Sequence, residues 1–82
     1  MHESGLARDI VRRGVREAEG CRGARVEALH IVVGGEQYVD REALALGINA
    51  ASQGTLAEGA VVSFAEGSGN GVVLESIQIL EV

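Results

Sequence analysis

Two aromatic residues, Tyr38 and Phe64, are all that this 82-residue chain has to place in a core. Whatever it builds must therefore be packed from Val, Leu, Ile and Ala, which supply most of its 46% apolar content. Each of the larger three contributes about 1.5–3 kcal/mol when fully buried, against about 1–2 kcal/mol of backbone entropy for every residue ordered. One domain spanning 1–82 is the reading, with a margin thin enough that a second copy or a partner protein would help complete it. No run approaches the roughly 20 apolar residues of a membrane span, and arginines interrupt the first twenty positions where a signal peptide would lie. Every basic residue is Arg and the net charge is −5, a poor balance for nucleic-acid binding. With Cys21 as the single cysteine, no internal disulfide can form and the cytoplasm is the expected compartment.

Within those limits the periodicity is legible. Leu6, Ala7, Ile10, Val11, Val15 and Ala18 recur at helical spacing, with Asp9, Arg12, Arg13, Arg16, Glu17 and Glu19 between them. Gly14 sits inside this helix at a cost of about 1 kcal/mol relative to Ala. RVEALHIVV at 25–33 alternates as a strand, with Leu29, Ile31 and Val33 on one face and Ala28, His30 and Val32 on the other. Asp40 reads as the N-cap of a second helix, Val39 and Leu44 as its hydrophobic staple, and Gly54 as its close. AVVSFAE at 60–66 and VVLESIQILEV at 72–82 read as a hairpin around Gly67–Gly71. The apolar parity of the last strand changes between Leu74 and Ile77, which predicts a bulge near Glu75-Ser76. The expectation is an α+β fold of order α-β-α-β-β, two helices on one face of a small mixed three-stranded sheet. The other face is left uncovered and open to association.

Few residues suggest chemistry. Met1-His2-Glu3 at the amino terminus is either a loose end or a chelating one. The α-amine ordinarily titrates near pH 8 and an imidazole at about 6.5, so both can offer neutral nitrogen near neutrality. With the intervening amide they form fused chelate rings on one ion, and Glu3 can add a backbone nitrogen or a carboxylate. Such planar, nitrogen-rich coordination suits Ni(II) and Cu(II). Arg12, Arg13 and Arg16 form a basic stripe able to dock an acidic partner; interleaved with Asp9, Glu17 and Glu19, they also describe an ordinary solvated helix face. His30 reads as a surface or interface residue, and Cys21 has no His-Asp arrangement beside it. Neither a nucleophile-base pair nor a phosphate loop is present, and the chain reads as not an enzyme.

MHE leading into Leu6, Ala7 and Ile10 resembles the opening of the HypA/HybF hydrogenase nickel-incorporation proteins. QGTLAEGA at 53–60 resembles that family's link from second helix to second strand. The strand ending near Gly34, the cap followed by Glu42-Ala43-Leu44, and ESIQILEV fit the same pattern. The resemblance implies a nickel metallochaperone for [NiFe]-hydrogenase or urease maturation, working with a GTPase of the HypB type and a hydrogenase large subunit. Its Ni(II) site would be His2 with the Met1 amine and Glu3 nearby. Family members carry a zinc domain with two CxxC pairs between the last two strands. Here Gly67–Gly71 occupies that place, no CxxC occurs, and Cys21 with His30 cannot supply the four ligands of a structural zinc. The alternative is a metal-free interaction or dimerisation module that keeps only the scaffold.

Overall fold

A computed structural model describes residues 3–21, 24–35 and 39–81. Helix α1 spans Glu3–Glu19, strand β1 Arg25–Gly34, helix α2 Arg41–Ser52, strand β2 Val61–Gly67 and strand β3 Val72–Leu80. The expected α-β-α-β-β order and the α+β class are those of the structure. β1 pairs in parallel with β2 and antiparallel with β3, so the sheet is mixed with order β2-β1-β3.

The core follows from the periodicities. α1 buries Ala7, Ile10, Val11 and Ala18, α2 buries Leu44 and Ile48, and β1 contributes Val26, Leu29, Ile31 and Val33. Val62, Phe64, Ile77 and Ile79 close the cluster from the flanking strands, half-buried. α1 lies against β1 and β3, while α2 packs chiefly on α1. Gly14 explains its own helix penalty: a Cβ there would come within 3.0 Å of Leu29 Cδ2, so its absence lets α1 settle close onto β1.

The caps hold as read. Asp40 has extended backbone and its Oδ1 accepts from the Ala43 N–H at 3.1 Å. Val39 packs half-buried on the cluster that contains Leu44, consistent with a staple. Gln53 caps the carboxyl end, and Gly54 follows in the left-handed region at φ +77°.

The hairpin is the correction. β2 and β3 do not pair with each other; they flank β1, and Gly67–Gly71 crosses the end of β1 to join them. The Gly34 N–H donates to the Gly71 carbonyl at 2.8 Å and the Gly35 N–H to the Gly67 carbonyl at 3.0 Å. The physical reason lies in β1, apolar on both faces and so best placed where both edges are paired. The predicted bulge is present: His30 faces Ser76 and Ile31 faces Leu74, leaving Glu75 as the extra residue. A second bulge, at Glu27 on β1, lies between the pairs Val26–Ile79 and Ala28–Gln78. One extra residue on each strand cancels, so the register at both ends of the β1–β3 ladder is the same. Both bulges keep apolar side chains on the helix side despite the parity breaks between Val26 and Leu29 and between Leu74 and Ile77.

Candidate functional site

Met1 and His2, two of the three expected metal ligands, lie outside the described residues. Glu3, the third, opens α1, and its side chain also lies outside the description. The neighbourhood of that helix start is nevertheless defined. Leu6 and Ile10, one and two turns into α1, line a groove with Val72 and Leu74 at the start of β3. Leu6 therefore sits at the same end of the molecule as Gly67–Gly71, which leads directly into Val72.

Among the described residues, no three His, Cys, Asp or Glu side chains converge as metal ligands would. His30 stands half-buried on the outer face of the sheet, its Nδ1 sharing a 2.5 Å hydrogen bond with Ser63 Oγ on β2. Ser76 of β3 pairs opposite it. These polar groups, with Gln78 opposite Ala28, share the face with Val61, Val73 and Leu80, which are 65%, 55% and 49% exposed. Ala28, expected to be uncovered there, is buried between its paired neighbours Val61 and Gln78. Cys21 is a free, half-buried thiol.

The arginine stripe is real but divides. Arg12, Arg13 and Arg16 are all exposed. Arg12 and Arg16 occupy the crest of α1, since each lines both the groove toward β3 and the one toward α2. Arg13 turns to the β3 side, where it also lines a cleft with Glu17 and Glu75. Arg8, which the sequence reading left out of the stripe, joins Arg12 and Arg16 along the α2 groove. The signal for it was available: 8, 12 and 16 are spaced i, i+4, i+8 on one helix.

QGTLAEGA, the motif between α2 and β2, proves to be a self-bonded loop locked to the start of β1. Thr55 Oγ1 donates to the Ser52 carbonyl at 2.7 Å and accepts from the Ala57 N–H at 3.0 Å. The Gly54 N–H donates to Glu58 Oε1 at 2.6 Å. Gly59 takes the left-handed φ of +80° that suits glycine, while Ala57 is fully buried. The Val26 N–H then donates to the Leu56 carbonyl, and Arg25 Nη2 donates to the Glu58 carbonyl at 3.0 Å. The segment thus seals the amino-terminal end of β1, with Leu56 left exposed.

A family model described as "Hydrogenase/urease nickel incorporation, metallochaperone, hypA" matches residues 1–74. Two curated relatives, each named hydrogenase maturation factor HypA, align with most of the chain. The protein of Chlorobaculum tepidum is 37% identical over 71 residues, covering 87% of this chain and 63% of its own length. The protein of Pyrococcus horikoshii is 38% identical over 66 residues, covering 80% of this chain and 48% of its own. The alignments therefore span roughly half to two thirds of the relatives' length.

Proposed function

The chain belongs to the HypA family, and from that premise we propose that it is a nickel-handling metallochaperone domain serving [NiFe]-hydrogenase or urease maturation. The observation that carries the reading is the family match over residues 1–74, which begins at the MHE terminus. Ni(II) is its cargo. His2 is the anchoring ligand, the Met1 amine completes the chelate, and Glu3 adds a backbone or carboxylate donor. The donor set requires a free amine on Met1.

Chemistry bounds how such a site behaves. The positive end of the α1 dipole opposes a cation bound near it. A site of modest affinity results, suited to a protein that must release its ion. Protons compete for amine and imidazole, so binding weakens as pH falls. No bond is made or broken in the cargo, and the domain is not an enzyme. Zinc is not part of this reading: one cysteine is present in the whole sequence. A GTPase of the HypB type and a hydrogenase large subunit are the partners the family suggests, with Arg12, Arg13 and Arg16 available for docking. The reading puts the domain in the cytoplasm; among the described residues no helix is long and apolar enough to cross a membrane.

The test is calorimetric Ni(II) titration of the untagged chain, its His2→Ala variant and a form extended before Met1. Binding is expected in the first and lost in the other two. Equal binding in all three sinks the proposal.

The exposed Val61, Val73 and Leu80 of the outer sheet face favour a second reading, a metal-free module that associates through that face. Sedimentation across a concentration series tests it, alone and with candidate partners. A monomer that captures nothing at every concentration removes it.

A further inference from the structure

The groove between α1 and α2 combines two features. Its floor is apolar, made by Val11 and Val15 of α1 and Ala51 of α2, and its rim carries Arg8, Arg12 and Arg16. The groove encloses about 300 Å³ and is open along its length. All three arginines are exposed, in a chain whose net charge is −5. Three of the chain's seven basic residues line this one groove.

We propose that this groove docks an acidic amphipathic helix of a partner protein. The spacing specifies the occupant. Arg8, Arg12 and Arg16 are eight residues from end to end, about 12 Å at 1.5 Å per residue. A helix lying along the groove with carboxylates at i, i+4 and i+8 presents the same pitch, and its adjoining apolar stripe meets Val11, Val15 and Ala51. The guanidiniums steer and orient the segment while the apolar floor holds it. Glu19, at the far end of the same rim, repels a further carboxylate and so fixes where the acidic row stops. Arg13 is not part of the site: it lines the β3 side of α1, in a cleft with Glu17 and Glu75.

This deepens the proposed delivery role, which requires a docking surface, yet it uses no atom of Met1, His2 or Glu3. The two readings therefore fail separately. The probe is a synthetic 16-residue helical peptide with Glu at every fourth position beside a stripe of Leu, followed by amide chemical shifts of the labelled full chain. Saturable shifts centred on Val11, Val15 and Ala51 are expected, weakening as salt is raised. An Arg8→Glu, Arg12→Glu, Arg16→Glu triple variant should lose at least about tenfold in affinity, the scale of three exposed ion pairs removed and reversed. The milder Arg→Gln triple variant should fall between, and guards against a folding defect in the first. Both should titrate Ni(II) as the parent does. Three results overturn the proposal: no saturable shift, equal binding of a peptide with Lys in place of Glu, or shifts centred on Val61 and Val73.

Discussion

Substituting Gly34 by alanine places a Cβ 2.5 Å from the Gly69 carbonyl oxygen, 2.9 Å from its carbon and 3.0 Å from Asn70 Cα. All three are backbone atoms of the crossover, so no side chain can rotate away. The backbone of Gly34 itself is not in the left-handed region, so alanine is locally acceptable and the cost belongs to the loop alone. Two responses are open. The loop stays and the contact is overpacked, at about 1–3 kcal/mol. Alternatively it lifts and gives up the bonds from Gly34 to Gly71 and from Gly35 to Gly67, at about 1 kcal/mol each. Against either stands a gain of about 0.4–1 kcal/mol from the stiffer unfolded chain. A net loss of about 1–2 kcal/mol follows, which lowers the Tm of a domain this size by about 5–15 °C. Thermal unfolding measures it, with Gly5→Ala as the reference: among the described residues nothing outside its own stretch of helix lies within 4 Å of that Cβ, and helix α1 should gain about 0.5–1 kcal/mol. Inserting two glycines after Gly69 should cost only about 0.3 kcal/mol by itself and relieve most of the Gly34→Ala penalty. An alanine variant as stable as the parent, or one the longer loop fails to rescue, refutes the account of the crossover.

Three further perturbations read out other parts of the chain. Asp40→Ala removes the acceptor for the Ala43 N–H and should cost about 1 kcal/mol in chemical denaturation, with an unchanged dependence on denaturant. Thr55→Val keeps the shape of the side chain but leaves the N–H of the fully buried Ala57 without its acceptor, for a loss of about 1–3 kcal/mol in the same assay. For the proposed nickel site, Ni(II)-loaded protein should release its ion progressively as pH drops from about 8 through the imidazole range near 6.5. Ni(II) retained at pH 5 in equilibrium dialysis would contradict an amine-imidazole donor set.

Strand order shows where sequence reasoning reached its limit and why. Helical spacing in α1, the Asp40 cap and the alternation of β1 are local properties, and each is found where the residues put it. The bulge at Glu75 was legible because Leu74 and Ile77 break the period of two. The same break, between Val26 and Leu29, marks the bulge at Glu27 and could have been read alongside it. Which strand β3 pairs with is not a local property. Five residues rich in glycine can close a hairpin or span the roughly 10 Å across one intervening strand equally well. The deciding signal lies outside the loop, in β1: Val26, Leu29, Ile31 and Val33 face the core while Ala28, His30 and Val32 keep the opposite face largely apolar too. A strand that gains from burial on both sides takes the centre, and the strands with Ser63, Glu66, Ser76 and Gln78 go to the edges.

The candidate sites divide by the same logic. A docking groove is a product of packing, and its outline emerges only when α2 is laid against α1; the stripe of Arg12, Arg13 and Arg16 then separates into a rim that includes Arg8 and a side chain that turns away. A chelate built from a terminal amine, one amide and the adjoining imidazole needs no tertiary contact to form, so the sequence specifies its donors directly. What packing adds is location. Leu6 lines one groove with Val72, so the first described turns of α1 lie toward the end of the sheet that the Gly67–Gly71 crossover spans. Lengthening that crossover should therefore alter the surroundings of the proposed nickel donors while leaving the α1–α2 groove as it is. The two-glycine insertion offers both readouts: Ni(II) affinity is free to change, and peptide affinity should not. A matched change in both would mean that the loop acts on α1 as a whole, and that the two sites are not independent.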